Sequence, residues 1–502
     1  MDILDSYPEY KDTSVLDTLR VTEYGYLDQD QQVYLDYTGA GLAARSQYQA
    51  HENRLANGAF GNPHSANPTS EAATSLVERT RTRILEHLNA SPEEYAVVFT
   101  ANATGAARLV AESYPFRRRA RLVLTLDNHN SVNGVREFAH RRGAKVVYVN
   151  TQAPELRVDE EDVIAALRDP HRRRRGQSWR RCLNMKTKDR GAGAQETRRN
   201  GLFAFPAQSN FSGVRHPLSW VPLAQGRGYD VLLDAAAFLP TAKLDLSAVQ
   251  PEFVVMSWYK VMGYPTGVGC LVARRDALAR LARPWFSGGT VRMATVGKGM
   301  EWHVMAGDEA AFEDGTVNFL SIPDVAVGLD FLAGVVGMDV IATRVRCLTG
   351  WFLERLDRLA HSDGSRMARL YGPTDVEARG GTVCFNLLDA RGRVVDDRLV
   401  ATESAAAGIS LRTGCFCNPG GGEAAFGIDE EAVRRVRASG EWLLLQQERG
   451  ISLPFMPILG AVRVSFGVAS TTRDVDRFFD FVETTYRDRV TTAEGLPPRQ
   501  GC

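Results

Sequence analysis

The chain has 502 residues with 60 basic and 60 acidic side chains, so its formal net charge is zero. This balance gives the chain no overall field that would draw it to nucleic acid or to an anionic membrane. Hydrophobic residues make up 44% of the sequence, and no window reaches the roughly 18 apolar residues of a membrane-spanning helix. At this length two domains are expected.

The N-terminus, MDILDSYPEYKD, is acidic and lacks the apolar run of a signal peptide. Seven cysteines are scattered along the chain, which favours reduced thiols over a disulfide framework. We therefore expect a cytoplasmic protein that binds neither nucleic acid nor membrane.

Short apolar runs alternate with helical stretches through the first 325 residues. The runs predict strands at 95–100, 121–126, 145–150, 201–206, 230–235 and 253–258. Near-continuous apolar strands between helices are typical of a mostly parallel sheet covered on both faces. We therefore predict an α/β fold with a large domain over residues 1–325. Ligands of such sheets bind beyond the carboxyl ends of the strands, so residues that follow each run are the functional candidates.

The pattern changes after about residue 325. The stretch AVGLDFLAGVVG (326–337) and the residues up to Leu359 predict a long helix that leads into a smaller domain. Strands predicted at 382–389 and 461–467 make this domain, residues 326–502, α+β in character.

One segment, His171 to Arg199, differs from its surroundings. It carries eleven Lys or Arg against two Asp or Glu and shows almost no apolar periodicity. We interpret it as a solvated, disordered insertion between two strands; an arm for an anionic partner is the alternative.

Polar residues follow the first predicted strands. Thr104 lies in a small-residue turn that opens a helix, where backbone N–H groups and a hydroxyl form either an anion cradle or an ordinary helix cap. His129 follows the next strand, either as a ring that stacks on a flat cofactor or as a turn histidine. Gln208 and Asn210 are polar groups in an apolar context.

The most informative residues are Asp234 and Lys260, because each ends a buried strand. A buried carboxylate is costly unless it meets a cation or a strong donor. A lysine just past a buried strand loses solvation, which lowers its pKa and makes the amine available for a Schiff base. Pyridoxal phosphate needs such a lysine for its aldehyde and a carboxylate for its pyridinium nitrogen. With Thr104 and Ser257 for the phosphate and His129 against the ring, the sequence predicts a pyridoxal-phosphate enzyme.

The segment 411-LRTGCFCNPGGGE-423 contains Cys415 and Cys417, one residue apart. A zinc site needs two further ligands, and none lies close by in sequence, so we predict no metal. A disulfide between residues i and i+2 would be strained. The remaining alternatives are a structural turn with buried cysteines and a reactive thiol, whose ionisation Arg412 would favour.

Five motifs resemble the cysteine-desulfurase-like N-terminal domain of molybdenum cofactor sulfurases, a branch of the class V aminotransferase superfamily with fold type I. They are 33-VYLDYTGAGL-42, NPHS (62–65), FPAQSNFSGVRHPLSW (205–220), SWYKVMGYPTGVG (257–269) and RTGCFCNPG (412–420). The resemblance extends from about residue 30 to 485.

The resemblance implies roles for the candidate residues. Lys260 matches the family's pyridoxal-phosphate lysine, and Asp234 matches its partner on the ring nitrogen. Asn210 corresponds to a residue near the ring oxygen, and His129 is similar to the stacking histidine. Thr104 and Ser257 match phosphate contacts. Thr316 is similar to a threonine that completes the phosphate site of the second subunit, which implies a homodimer.

The resemblance also implies the chemistry of the cysteine loop. In this family a loop cysteine takes the substrate sulfur as a persulfide and alanine is released. The spacing from Arg-Thr-Gly places that cysteine at Cys417, with Cys415 as the second candidate. Arg463 is similar to the arginine that clamps the substrate carboxylate, a role that suits a bidentate guanidinium and that Arg412 shares.

We therefore predict a pyridoxal-phosphate-dependent L-cysteine desulfurase that transfers sulfur to an acceptor. Full-length sulfurases carry a further C-terminal domain, and we expect this chain, which ends at Cys502, to lack it. The alternative enzyme is a C–S or β-lyase acting on another amino acid. A non-catalytic scaffold is disfavoured because Lys260 and Asp234 are both present.

Overall fold

The structure is a computed structural model that describes residues 2–63, 65–168, 199–428, 431, 434 and 460–496. The predicted basic insertion at 171–199 lies outside the described residues except for Arg199. The same is true of one residue of the NPHS motif, at position 64.

The α-helices of the described residues are α1 (Ile3–Ser6), α2 (Val15–Thr22), α3 (Tyr26–Gln29), α4 (Arg45–Ala56), α5 (Pro68–His87), α6 (Ala103–Ser113), α7 (Asn130–Asn133), α8 (Val135–Arg141), α9 (Glu160–Ala166), α10 (Trp220–Gln225), α11 (Trp258–Met262), α12 (Arg275–Leu278), α13 (Ile322–Asp330), α14 (Met338–Arg358), α15 (Asp397–Ala406), α16 (Pro419–Phe426) and α17 (Thr472–Tyr486). Two 3₁₀ helices, Pro8–Thr13 and Asp308–Phe312, and a π-helical turn, Phe331–Val336, accompany them.

The strands are β1 (Val33–Tyr34), β2 (Tyr95–Thr100), β3 (Arg121–Thr125), β4 (Lys145–Val149), β5 (Gly201–Pro206), β6 (Tyr229–Asp234), β7 (Phe253–Ser257), β8 (Gly269–Arg274), β9 (Val291–Thr295), β10 (Trp302–Met305), β11 (Ala368–Tyr371), β12 (Thr382–Leu387), β13 (Ile409–Ser410), β14 (Arg412–Gly414) and β15 (Ala461–Ser465).

A seven-stranded sheet forms the centre of the fold, with strand order β2-β8-β7-β6-β5-β3-β4. All neighbours pair in parallel except β8, which runs antiparallel to β2 and β7. Hydrophobic clusters cover both faces of the sheet, and the inner strands β5, β6 and β7 are therefore buried along their whole length. The predicted α/β fold with a mostly parallel sheet is therefore confirmed. Strand β8 has no counterpart in the prediction because its apolar run directly follows the glycine-rich turn around Lys260.

A second, four-stranded sheet with the order β11-β12-β15-β14 is antiparallel throughout. The N-terminal segment joins this half of the molecule, since β1 pairs in parallel with β13 and Asp36 bridges to Ser465. Residues 33–36, far from the C-terminal region in sequence, therefore lie beside the strands that carry Arg412 and Arg463.

The predicted single helix over residues 326–359 is wrong. Helix α13 continues through the π-helical turn to Val336, and the axis of this stretch, Ile322–Val336, differs by 75° from that of α14. Gly337 stands at the break with φ of +85°, a conformation that glycine adopts without steric cost. Within the described ranges no single helix is long and apolar enough to cross a membrane, and only this bent pair meets that length and composition.

Candidate active site

A cavity of about 160 Å³ lies at the carboxyl ends of the parallel strands. Asp234 is the last residue of β6, and Lys260 lies in the short helix α11 that follows the neighbouring strand β7. Six of the seven predicted cofactor residues line this cavity: Thr104, His129, Asn210, Asp234, Ser257 and Lys260. Gln208, which the sequence marked only as a polar group in an apolar context, lines it too.

The turn after Lys260 is formed by close backbone packing. Gly263 has φ of +76°, and a Cβ there would lie 2.1 Å from the backbone nitrogen of Ala43. Only glycine fits both the conformation and the contact. The N-terminal segment therefore closes directly onto the lysine turn.

Burial is the main influence on the pKa of Lys260. Burial lowers the pKa of the Lys260 ammonium; the Asp234 carboxylate opposes this shift, and the Arg463 guanidinium adds to it. The pKa of His129 is also lowered, first by burial and then by the charge of Lys260. An uncharged amine and an uncharged imidazole are the forms needed for a Schiff base and for stacking on an aromatic ring.

The phosphate end predicted from sequence lies at the start of helix α6. The backbone N–H of Ala103 donates to Ser257 Oγ over 2.8 Å, and Asn102 caps the helix through the N–H of Gly105 over 2.9 Å. Thr104 Oγ1 lies 2.7 Å from Ser131 Oγ. Hydroxyls and a helix N-terminus together form an anion-binding arrangement.

Ser131 was not predicted, although it also lines the cavity. Its hydroxyl lies 2.8 Å from His129 Nδ1, and its backbone N–H donates to the same ring nitrogen over 3.1 Å. It thus connects His129 to Thr104. The signal available in the sequence was the second hydroxyl residue of the turn 127-DNHNSVNG-134.

Thr316 does not line the cavity of Lys260. It lines a second cavity of about 580 Å³, together with Thr100, Gly105 and Trp285, and its Oγ1 accepts from Asn62 Nδ2 over 3.2 Å. The predicted role of Thr316 in the phosphate site of a second subunit therefore stays a prediction.

The cysteine loop is attached to the rim of the active-site cavity. The N–H of Asn130 donates to the Cys417 carbonyl over 2.8 Å, and Asn210 Nδ2 donates to the Phe416 carbonyl over 2.8 Å. Phe416 and Cys417 both have positive φ, 56° and 51°, so the loop turns sharply at the thiol. The Asn210 amide thus holds the cysteine loop. The predicted position of Asn210 near the ring oxygen of the cofactor stays a prediction.

The two candidate thiols differ. Cys417 is a free, half-buried thiol that lies near both Lys260 and Arg412. Cys415 is not among the free cysteines of the described residues. Within the described part of the chain, no group of three or more His, Cys, Asp or Glu side chains is arranged to hold a metal ion.

The two predicted substrate arginines meet at one acidic side chain that the sequence analysis missed. Arg412 donates to Asp36 Oδ2 through Nε over 3.0 Å and through Nη2 over 2.6 Å. Arg463 donates to Asp36 Oδ1 through Nη2 over 3.0 Å, and to the Asn210 carbonyl through Nη1. The available signal was an acidic residue at the end of the short apolar run 33-VYLD-36, a pattern similar to the one that identified Asp234.

A buried pair supports the turn that carries His129. His216 Nε2 lies 2.9 Å from Asp127 Oδ2, and both side chains are almost fully buried. Burial alone would raise the pKa of Asp127, but the charge and hydrogen bond of His216 hold it below its ordinary value. Asn418 Nδ2 donates to the Asp127 carbonyl over 2.7 Å, so the cysteine loop is anchored to the same turn.

A mostly parallel sheet with a lysine and an aspartate at the ends of neighbouring strands defines a fold type I pyridoxal-phosphate enzyme. Comparison with known families agrees. The family model "Aminotransferase class-V" matches residues 33–172 and 194–478. The chain therefore belongs to the class V aminotransferase family, whose cysteine desulfurase relatives are pyridoxal-phosphate enzymes.

Curated relatives share about a third of the sequence. Molybdenum cofactor sulfurase of Arabidopsis thaliana is 34% identical over 93% of this chain and 58% of its own length. Molybdenum cofactor sulfurase of Homo sapiens is 33% identical over 90% of this chain and 49% of its own length. This chain thus spans about half the length of the curated relatives it matches.

Solved structures support the fold. A cysteine desulfurase of Thermococcus onnurineus superposes with a TM-score of 0.72 at 21% identity, covering 94% of this chain and 98% of that chain. A cysteine desulfurase of Escherichia coli superposes with a TM-score of 0.68 at 19% identity, covering 93% of this chain and 98% of that chain.

Proposed function

We propose that this chain is an L-cysteine desulfurase that carries the abstracted sulfur as a persulfide on Cys417. The main support is the position of one free thiol on a loop at the rim of the cavity that Lys260 lines. A thiolate is the nucleophile that sulfur abstraction requires. The names of the cysteine desulfurase and sulfurase relatives agree with this activity.

The side chains around the cavity fit pyridoxal phosphate. Lys260 would hold its aldehyde carbon, Asp234 its ring nitrogen, and Ser257 with Thr104 its phosphate. When bound, the cofactor supplies an electron sink that stabilises negative charge on the substrate carbon. The buried Asp234 carboxylate suits this position, because a carboxylate in a buried site needs a cationic or donor partner.

Side chains of the protein carry out substrate binding, proton transfer and sulfur transfer. Arg463 binds the substrate carboxylate, and the Lys260 amine takes the proton from Cα. The Cys417 thiolate then attacks the substrate sulfur: an S–S bond forms while the Cβ–S bond breaks. The electron pair of the broken bond stays with the substrate carbon, which takes up a proton. L-Cysteine and the thiol thus yield L-alanine and the Cys417 persulfide without an external oxidant, and the outer sulfur passes to an acceptor.

Product analysis with L-cysteine tests this proposal. We expect alanine, together with a peptide spanning Cys417 that is heavier by one sulfur atom in mass spectrometry. Cys417→Ala should abolish both products. Cys347→Ala, which removes a buried free thiol on α14 away from the cavity, should leave them unchanged. Pyruvate and ammonia in place of alanine would identify a β-lyase instead.

We also propose that the active form is a homodimer in which Thr316 of one chain completes the phosphate site of the other. The support is that Thr316 is exposed and lines a different cavity of its own chain. The hairpin β9–β10, which precedes Thr316, carries large exposed apolar side chains, among them Met293 and Trp302. Such side chains on one element are typical of an interface.

Subunit complementation tests the dimer. Lys260→Ala and Thr316→Ala chains should each be impaired alone. Co-expression should restore activity, because one site of the mixed dimer then has both native residues. Absence of restoration in a mixed dimer verified by affinity tags would contradict a shared site.

A further inference from the structure

The Asp36 carboxylate is shared between the two candidate substrate arginines. Its Oδ2 accepts two hydrogen bonds from Arg412, at 3.0 and 2.6 Å, and its Oδ1 accepts one from Arg463 at 3.0 Å. The two hydrogen bonds from Arg412 use Nε and Nη2, the side of the guanidinium that binds carboxylates. Asp36 thus occupies the position that an amino acid carboxylate would need on Arg412.

The charges at this position are incomplete without a ligand. Two guanidinium groups face one carboxylate, so this cluster of three side chains carries one net positive charge. Arg463 is 3% exposed, and its Nε–H has no hydrogen-bond partner within the described part of the chain. Buried donors without a partner are rare, and a bound ligand group is one way to satisfy them.

Arg412 connects this charge cluster to the reactive thiol. It begins strand β14, which leads within five residues to Cys417, and its side chain is about half exposed. The Arg463 guanidinium lies 4.8 Å from the centre of the Phe416 ring, next to the same thiol. A change of partner at Arg412 therefore acts on the segment that carries Cys417.

The position of Asp36 is enforced by its own loop. A Cβ on Gly39 would lie 2.5 Å from Asp36 Oδ2 and 2.7 Å from Arg412 Nη2. The backbone of Gly39 donates to the Asp36 carbonyl over 2.9 Å. Glycine at position 39 thus leaves space for this ion pair, and a larger residue there would collide with it.

We propose that Asp36 is an internal carboxylate that holds Arg412, and with it the Cys417 loop, until the carboxylate of the amino acid substrate replaces it. This inference rests on the proposed function for the identity of the ligand only. Asp36 is a positioning residue: it acts through Arg412 and Arg463 and takes no part in the transfer of sulfur. Substrate binding and release of the thiol loop are coupled through this exchange.

The rate at which iodoacetamide alkylates Cys417, followed by peptide mass spectrometry on the cofactor-loaded enzyme, tests the proposal. The other described free thiols, Cys270, Cys347 and Cys384, are buried and serve as internal references. L-Alanine should accelerate alkylation of Cys417 in the native enzyme. Asp36→Asn should alkylate about tenfold faster without any ligand, equivalent to about 1.4 kcal/mol, and should no longer respond to L-alanine.

Two further variants make the test specific. Gly39→Ala pushes the ion pair apart from the opposite side and should give the same increase. Asp28→Asn removes another carboxylate that accepts two hydrogen bonds from an arginine, Arg20, away from the cavity, and should leave the alkylation rate unchanged. Circular dichroism of each variant verifies its fold.

Kinetics with L-cysteine separate this role from a merely structural one. Loss of the competing carboxylate should lower KM severalfold, while loss of the Asp36–Arg412 contact, one of the anchors of the loop, should lower kcat. An Asp36→Asn enzyme with native alkylation rate, or with raised KM, would overturn the proposal. The measurement without ligand needs no turnover, so its outcome stands even if L-cysteine yields no alanine.

Discussion

Replacement of Arg463 by lysine is the sharpest test of the substrate-binding end of the site. The change keeps the positive charge and removes the planar fork. Arg463 uses Nη2 for Asp36 and Nη1 for the Asn210 carbonyl, and its Nε remains for a ligand. A lysine ammonium cannot serve these three directions, because it is a point charge at the end of a flexible stem.

The expected loss of kcat/KM follows from the hydrogen bond that the Arg463 Nε–H would make to the substrate. A hydrogen bond to a charged group contributes about 1.5–3 kcal/mol, and loss of one such bond to the substrate corresponds to roughly a 10- to 100-fold lower kcat/KM. We expect KM to account for most of the loss, because the carboxylate is bound before and during the reaction.

Steady-state formation of alanine from L-cysteine measures this effect. Arg344→Lys is the matched control. The Arg344 side chain is fully buried and donates hydrogen bonds to Asp17 and Thr13, near the N-terminus. It should lower thermal stability and leave kcat/KM within about twofold of the native value. An Arg463→Lys enzyme with a native kcat/KM would refute the assignment of the substrate carboxylate to this arginine.

Two other predictions concern the groups that support the site. Asp127→Asn breaks the buried pair with His216 and should lower the free energy of unfolding by about 3 kcal/mol. The pKa of Asp127 is lower in the folded protein than in the unfolded chain. The native pair should therefore stabilise the fold fully above the unfolded pKa of about 3.9, and this stabilisation should be lost as the pH falls through the folded pKa. Thermal midpoints measured against pH for both proteins check this, and parallel curves would contradict it. Ser257→Ala leaves the Ala103 N–H without its acceptor, so we expect about 1–3 kcal/mol lower stability and faster loss of cofactor on dialysis, which absorbance follows. Ser247→Ala, at an exposed turn, is the control.

The strands and the lysine–aspartate pair could be predicted because their signals are local. An apolar run marks each strand, and a polar residue at its end marks the ligand-binding edge of a parallel sheet. The boundaries agree to within a residue or two for β2 through β7. The bend at Gly337 escaped prediction because its glycine sits inside an apolar pattern that continues on both sides.

The Asp36 cluster could not be predicted in this way, because its members come from opposite ends of the chain. Asp36 and Arg412 are 376 residues apart, and their contact depends on the pairing of β1 with β13. Periodicity within a window carries no information on such pairing. The hydrogen bond from the Asn210 amide to the Phe416 carbonyl likewise joins residues far apart in sequence and could not be predicted from a local pattern.

The N-terminal motif is best understood as part of the active site, since its glycines serve contacts at both ends of one short loop. Gly39 leaves space for the Asp36–Arg412 pair, whereas a Cβ on Gly41 would lie 2.9 Å from the Lys260 carbonyl. The N–H of Gly41 also donates to the Tyr259 carbonyl over 3.0 Å. Because a single loop contacts both the lysine turn and the arginine pair, we expect a shift at one to move the other. Residues 36–41 therefore connect the lysine turn, which we propose holds the cofactor, with the arginines and the thiol loop, which we propose bind substrate and carry its sulfur.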